Sequence, residues 1–358
     1  MNPFTYDQLP ARIVFGAGRL AEVGAEVERL DGQRVMLISD WAATAPAASV
    51  AVQLGGRLAV PWDEVAQHVP VELAERARLA ATEANIDCVV CIGGGSSTGL
   101  AKAIALSHSV PIVAVPTTYA GSEQTQIYGL TGGRHKQTGK NAIVQPRTVV
   151  YDPELTVGLP PQVTGPSAFN ALAHSVEALY APGNNPITSA LALEGVCAIN
   201  ESLPTVMANP GDVEARGRLL YGAYLSGVAL GTTSTGLHHK LCHVLGGRFN
   251  LVHADTHSVI LPHAVAFNSP ALPVEMARLA EALGVPDGDP SGALWDLAVA
   301  SNVPTRLADL HGHDGLVQRD DLPGAAHAAA EEITVNPRPV TEADLLGILE
   351  HAYEGVRP

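Results

Sequence analysis

The sequence predicts an α/β N-terminal domain followed by an all-α C-terminal domain. Three observations carry this. Short β-branched runs alternate with alanine-rich segments in the first half, and glycine-rich turns close some of those runs. Beyond GLPPQVTGP (158–166), strand patterns nearly vanish and helical ones take over. The boundary is therefore expected near residue 160, giving domains 1–160 and 161–358.

Along the first domain, RIVF leads into the turn GAGRLA (16–21). The runs RVMLIS (34–39), DCVVCI (87–92), PIVAVP (111–116) and TVVYD (148–152) follow as strands. Between the last two, residues 124–145 are polar and glycine-containing, which fits a hairpin excursion better than a crossover helix. In the second domain, helical patterns run over 167–180, 186–203, 213–230 and onward. Pro186 and Pro270 sit where helix starts tolerate proline, and the pairs PG (182–183) and NP (209–210) mark turns.

Composition excludes several classes of partner. With 46% hydrophobic and 16% charged residues, the 358-residue chain is an ordinary globular one, able to bury roughly 75% of its unfolded surface. Its net charge of -15 argues against nucleic acid or an anionic membrane, since both require a basic face. An anionic substrate would need locally placed cations. Cys88, Cys91, Cys197 and Cys242 show no disulfide spacing, and neither end carries a signal-like or 18-residue apolar run, so a cytoplasmic location is expected. Cys88 and Cys91 form a CxxC on a strand, where residues three apart face opposite ways, so packing is expected rather than redox or metal chemistry.

Two glycine motifs compete for a dinucleotide phosphate. GAGRLA has the G-x-G-x-x-A form, a weak signal when it stands alone. CIGGGSSTGLAKAIAL is stronger: Gly93, Gly94 and Gly95 end an apolar strand and open a helix, where backbone N–H groups can approach a pyrophosphate. Ser96 and Ser97 add hydroxyls, and Lys102 is either a structural or a phosphate-side cation. Thr117 and Thr118, in PTTYAGSE, can hydrogen-bond a nicotinamide or a substrate group. Asp40, closing the strand RVMLIS, either holds a ribose 2′-OH, favouring NADH over NADPH, or caps a turn.

The densest chemistry lies in 236–263, which holds six of the 14 histidines. His239 and His243 stand at i,i+4 on a helix and so share a face; the GGRFN turn brings His253 back towards them. Upstream, Asn170 and His174 repeat the spacing, suggesting a four-cornered catalytic or metal cluster. His238 and His257 read as hydrogen-bonded fillers, His263 as a supporting group, and Cys242 as packed. Lys240 falls about 60° from His243 on a helical wheel and is expected to flank the same pocket. Arg338, in NPRPV, is either a carboxylate clamp or a surface charge.

Together, GGGS (93–96), PTT (116–118), DPEL (152–155), NALAH (170–174) and LPH (261–263) resemble, over nearly the whole chain, the iron-containing alcohol dehydrogenase superfamily. PTTYAGSE, NALAHSVEALYA, LHHKLCHVLGG and NPRPV are most similar to its maleylacetate reductases. The resemblance implies a dehydroquinate synthase-like architecture: an NAD(P)-binding α/β domain, a helical catalytic domain, an active site in the cleft between them, and a homodimer. It also implies a metal held by an aspartate and three histidines, which carry over to Asn170, His174, His239 and His253. The first position departs, because a neutral carboxamide is a poor ligand for a hard divalent ion. Gly99 departs as well, standing where many members carry an aspartate.

The reaction implied is reduction of the C=C of maleylacetate, a small dicarboxylate, to 3-oxoadipate in aromatic-compound breakdown. NADH is the expected cofactor, NADPH is admissible, and no metal is expected to be required. His243 is the expected proton donor. Lys240, His239 and His253 would stabilise an enolate or bind a carboxylate, while Asn170 and His174 hydrogen-bond the substrate. The alternatives are a metal-dependent alcohol or polyol dehydrogenase and a lyase of the dehydroquinate synthase type. A non-catalytic binding module is the remaining one.

Overall fold

The computed structural model describes residues 4–7, 11–132, 135–286, 288–312 and 315–358. It divides into two compact units. The first comprises Asp7–Leu159 together with Gly211–Leu220; the second contains Pro160–Pro210 and Tyr221–Pro358. Residues 211–220, expected with the helical half, thus group with the α/β half.

The α/β unit is built on six parallel strands: β1 (Arg12–Phe15), β2 (Val35–Ser39), β3 (Leu58–Trp62), β4 (Cys88–Gly93), β5 (Ile112–Pro116) and β8 (Thr148–Tyr151). Their spatial order is β1-β8-β5-β4-β2-β3. Helices α1 (Val23–Arg29), α2 (Thr44–Leu54), α3 (Val71–Glu83) and α4 (Gly95–His108) connect them. Cys88, Val90 and Ile92 of β4 pack with Val113, Val115 and Val150 on one side of the sheet, against Val23 and Val27 of α1 and Val50 and Leu54 of α2. From β2 the chain steps outward to β3, but from β4 it steps the opposite way to β5. The carboxyl ends of β2 and β4 therefore flank a topological switch point, the usual place for a ligand in an open α/β sheet.

The polar stretch before β8 folds as the antiparallel pair β6 (Ile127–Gly132) and β7 (His135–Lys140), the hairpin expected there. β3 was not expected from the sequence. It is a half-buried edge strand with Pro61 near its end, a position tolerated only at an edge.

The second unit consists of α5 (Pro161–Ala178), α6 (Pro186–Ala208), the later part of α7 (Val213–Thr232), α8 (Leu237–Phe249), α9 (His253–Asn268), α10 (Pro273–Ala282), α11 (Pro290–Ala300), α12 (Leu322–Glu332) and α13 (Glu342–Glu354). It also carries a short ladder, β9 (His311–Gly312) with β10 (Gly315–Leu316), which qualifies the all-α expectation. Helix α5 begins a turn and a half before the expected start, with Pro161 in its first turn, where a missing N–H costs nothing. Pro270 lies in a short turn, and the next helix starts at Pro273.

The stripe Leu237, Leu241 and Leu245 of α8 packs with Val259 and Ile260 of α9 and Leu345 and Leu349 of α13. That turns His239 and His243 to the opposite side of α8, with His238 beside the leucine stripe. Among the described residues, no helix is long and apolar enough to cross a membrane.

Candidate active site

Within the α/β unit, the switch point gathers most of the residues expected at a cofactor. Strand β4 ends at Gly93, where φ is +146°, and an added Cβ would collide with Ser97 Oγ and lie 2.6 Å from Asp40 Oδ2. The close approach of three groups explains the glycine. Gly94 is the N-cap of α4 and supplies no side-chain cap, so the first-turn N–H groups of α4 are left for another acceptor. Ser97 Oγ is buried and lacks a partner among the described residues. Thr118 borders the same turn, with Cγ2 3.1 Å and Oγ1 3.3 Å from a Cβ built on Gly94; Thr117 N–H donates to Gly93 O at 3.0 Å. Ser96 is half-buried and Gly95 opens the helix. Asp40 does cap a turn, accepting from the N–H groups of Ala42 and Ala43 at 3.0 Å, while Oδ2 stays beside Gly93. Both readings of Asp40 are compatible with this placement.

The rival motif GAGRLA already holds an anion. Gly18 and Leu20 donate their N–H groups to the two oxygens of Asp152, at 3.2 and 2.9 Å, so this turn is occupied from within the unit.

Lys102 requires a correction. Its side chain is fully buried, and Nζ donates to Ser122 O, Thr125 O, Thr125 Oγ1 and Ile127 O at 2.7–2.9 Å. An ammonium enclosed by four oxygens stitches the 122–127 segment to α4 and has no donor left for a phosphate. Burial pulls its pKa down to about 7, against the opposing charge of Glu123. Burial likewise pushes the Cys88 and Cys91 thiols up to about 12, in keeping with packed, unreactive sulfurs.

Within the helical unit, six imidazoles form a continuous cluster. His174 stacks on His239 at 5.2 Å between ring centroids; His239 meets His238, His257 and His243 at 5.3, 4.8 and 6.3 Å. His253 meets His257 at 4.2 Å and His243 at 6.1 Å. Helix α8 runs through Gly246 and Gly247, and the reversal towards α9 comes at Asn250, which adopts a left-handed conformation at φ 51°. The reversal thus falls at the last residue of GGRFN, the two glycines continuing the helix.

Burial grades across the cluster. His238, His257, His239, His174 and Asn170 are buried, His253 is half-buried and His243 is exposed. Burial first, and then the neighbouring imidazoles, lower the pKa values of His174, His238 and His257 well below the usual value, so these rings are neutral near pH 7. His238 Nε2 and His257 Nδ1 share a hydrogen bond at 2.8 Å, as expected of fillers. His263 stands apart from the cluster, edge-on to Trp295 at 5.7 Å.

Two expected cations lie elsewhere. Lys240 Nζ faces Glu332 on α12 at 3.8 Å, so the wheel's 60° offset directs it away from the imidazoles. Arg338 stacks on Phe267 with its guanidinium 4.2 Å from the ring and donates to Phe267 O at 3.0 Å, neither a clamp nor a solvated charge.

One further residue joins the cluster that the histidine spacing alone does not reveal. Glu177 lies on α5 three residues beyond His174 and is buried. Oε2 accepts from His239 Nδ1 at 2.5 Å and from Gly236 N–H at 2.9 Å, and Oε1 from His238 N–H at 2.8 Å. Burial raises its pKa, but the charge and hydrogen bond of His239 and the two backbone N–H groups outweigh that and leave it lowered. The signal was present in the sequence: residues 170, 174 and 177 share one helical face.

Comparison with known proteins now decides the family. The model of the iron-containing alcohol dehydrogenases matches residues 10–153, and that of the Fe-containing alcohol dehydrogenase family, C-terminal, matches 164–353. The chain belongs to the iron-containing alcohol dehydrogenase family. A maleylacetate reductase of Burkholderia cepacia is 49% identical over 100% of both chains. The crystal structure of the maleylacetate reductase of Rhizobium sp. strain MTP-10005 is similar with a TM-score of 0.94 at 43% identity, covering 100% of both chains. A solved 1,3-propanediol oxidoreductase reaches 0.90 at 26% identity, covering 98% of this chain and 100% of that one.

The family name implies iron, and the donor set here does not fit it. Position 170 offers a carboxamide in place of an anion. The nearby carboxylate of Glu177 is held by His239 Nδ1 and two backbone N–H groups, so it does not replace the lost ligand. Among the described residues, the trio whose ligand atoms lie within 4.8 Å of one another is His238, Cys242 and His257, not the family's histidines. In that trio two nitrogens bond each other, and burial, reinforced by Glu177, holds the thiol protonated. The second departure, Gly99, has its own cause: a Cβ there would lie 2.8 Å from Val69 Cγ2, so Val69 fills the space an aspartate would need.

Proposed function

We propose that this chain transfers hydride from a nicotinamide cofactor to the C=C bond of maleylacetate, giving 3-oxoadipate. The observation that carries the reading is Asn170, buried one helical turn before His174 on α5 where the family pattern has an aspartate, in a chain 49% identical end to end to a maleylacetate reductase. Hydride adds to C2 of the enone. The electron pair of the C2=C3 bond moves into an enolate on the C4 oxygen, and a proton then closes C3. The cofactor leaves oxidised, so one hydride and one proton account for the two hydrogens gained.

His243 is the proton donor in this reading. It is exposed, so solvent can reprotonate it after each turnover, and its ring lies within 6.1–6.3 Å of His253 and His239. His253 faces the oxo group, where negative charge develops, and His239 joins it through a proton taken up at Nε2. Asn170 and His174 hydrogen-bond the substrate. The cofactor phosphates rest on the N-terminus of α4, over Gly93, Gly94, Gly95, Ser96 and Ser97, with Thr117 and Thr118 towards the nicotinamide. Asp40 beside Gly93 accepts a ribose hydroxyl and repels a 2′-phosphate, favouring NADH. The reaction needs no metal, and the enzyme works in the cytoplasm as a homodimer.

The test follows NADH absorbance with maleylacetate, and NAD⁺ reduction with simple alcohols, each with and without EDTA. Chelator-insensitive reduction of maleylacetate is expected. Alcohol oxidation abolished by chelator, without maleylacetate turnover, would overturn the proposal in favour of a metal-dependent dehydrogenase.

A further inference from the structure

We infer that Glu177 is a positioning residue that fixes which nitrogen of His239 the pocket receives. The inference deepens the reading above and rests on it for its consequence in turnover. An ionised carboxylate only accepts hydrogen bonds, so the nitrogen 2.5 Å from Glu177 Oε2 must be the protonated one. The geometry therefore holds His239 as the Nδ1–H ring, with Nε2 turned the other way. That Nε2 is buried and has no partner among the described residues, although a buried imidazole nitrogen ordinarily has one. An unpaired, buried acceptor nitrogen at the centre of the cluster marks the atom that a donor, a water or a substrate O–H, must meet.

The carboxylate is itself immobilised. It takes the N–H groups of Gly236 and His238 at the start of α8, where Gly236 supplies no cap of its own. Glu177 thus caps α8 from a neighbouring helix, and the positive end of that helix favours its charge. A Cβ on Gly236 would stand 3.0 Å from Oε1, tighter than ordinary contact, which suits the glycine next to the carboxylate. One rigid anion consequently sets both where α8 begins and how the third residue of α8 presents its ring. Any proton passed between His239 and the pocket passes at Nε2, because Nδ1–H stays on the carboxylate.

The test substitutes Glu177→Gln, which keeps an oxygen for the backbone N–H groups but can turn an amide donor towards Nδ1. Selectively ¹⁵N-labelled histidine in the intact enzyme reports the tautomer. The parent should show His239 protonated at Nδ1, identified by its absence from His239→Asn, and Glu177→Gln should lose that state. In turnover, kcat should fall about 10- to 100-fold, as for partners that orient a functional histidine, with KM for NADH unchanged. A role confined to capping α8 would lower thermal stability but leave the tautomer and kcat in place, overturning the inference. A parent in which His239 carries its proton on Nε2 overturns it without reference to any variant or substrate. If the tautomer follows the prediction while maleylacetate is not reduced, the substrate reading fails and the positioning role stands.

Discussion

Gly93→Ala tests whether the β4–α4 turn is shaped for a ligand. The magnitude follows from two independent features. With φ at +146°, a residue bearing a Cβ is strained, costing about 1–3 kcal/mol. The new methyl also collides with Ser97 Oγ and stands 2.6 Å from Asp40 Oδ2, an overpacking worth about 1–3 kcal/mol more. Together the loss should be at least about 2 kcal/mol, a large share of the roughly 5–15 kcal/mol a domain commands. Relief must move Ser97 or Asp40, both proposed to face the cofactor, so Kd for NADH should rise tenfold or more, equivalent to about 1.4 kcal/mol. Urea unfolding and a fluorescence titration with NADH measure the two effects separately. Gly95→Ala is the internal control for stability: its nearest neighbour, Ala120 Cβ, is 3.7 Å from the added carbon, an ordinary contact. Parental unfolding midpoint and NADH affinity in Gly93→Ala would refute the reasoning, and a Gly95→Ala chain equally unstable would show that any added carbon disrupts this turn.

Other outcomes follow from the same structure. His243→Ala, at an exposed position, should fold normally and bind NADH as the parent does while losing about 10²- to 10⁴-fold in kcat; reduction of maleylacetate at the parental rate would remove it as donor. Lys102→Met removes the donor to Ser122 O, Thr125 O, Thr125 Oγ1 and Ile127 O; Ser122 O and the hydroxyl still accept from Thr125 and Ile127, but a buried carbonyl left unpaired costs about 1–3 kcal/mol, so thermal melting should show clear destabilisation. Loss of NADH affinity at parental stability would instead return Lys102 to the phosphates. His263 is pulled down to about 4 by burial, with His351 adding to the effect, so below pH 6.5 the unfolded chain binds a proton that the folded chain refuses. Its neutral form therefore favours folding fully above pH 6.5, and that advantage, on the order of 3 kcal/mol, is lost as pH falls to about 4. Urea unfolding of the parent and His263→Gln across that range should show the gap between them shrinking with acid; a constant gap would contradict the shift.

What could be read from the sequence depended on how local its cause was. The strands β2, β4, β5 and β8 are apolar runs that need no distant information, and the i,i+4 pairs 170/174 and 239/243 declare a shared face by spacing alone. Edge strand β3, only half-buried, lacks the continuous apolar run that announces a buried one. The misplaced cations share a different reason. Lys102 sits where an ammonium could reach a phosphate, but its partners come from a segment 20–25 residues away. Lys240 is near His243 on the wheel, yet a long flexible side chain follows its counter-ion, and Glu332 lies on α12. Helical spacing predicts where a short, stiff imidazole points far better than where a lysine ends.

Glu177 shows the same limit from the other side. Its helical face was readable, but its function depends on Gly236 and His238 presenting their N–H groups to it, a contact between residues about 60 apart. Without those donors, a glutamate on a histidine-bearing helix would be one more candidate ligand for the missing metal corner. With them, its oxygens are already turned to α8 and to His239 Nδ1, so the carboxylate serves to orient an imidazole. A carboxamide at position 170 and the engagement of the acid at 177 by three donors both leave the cluster without a free carboxylate on this face of α5.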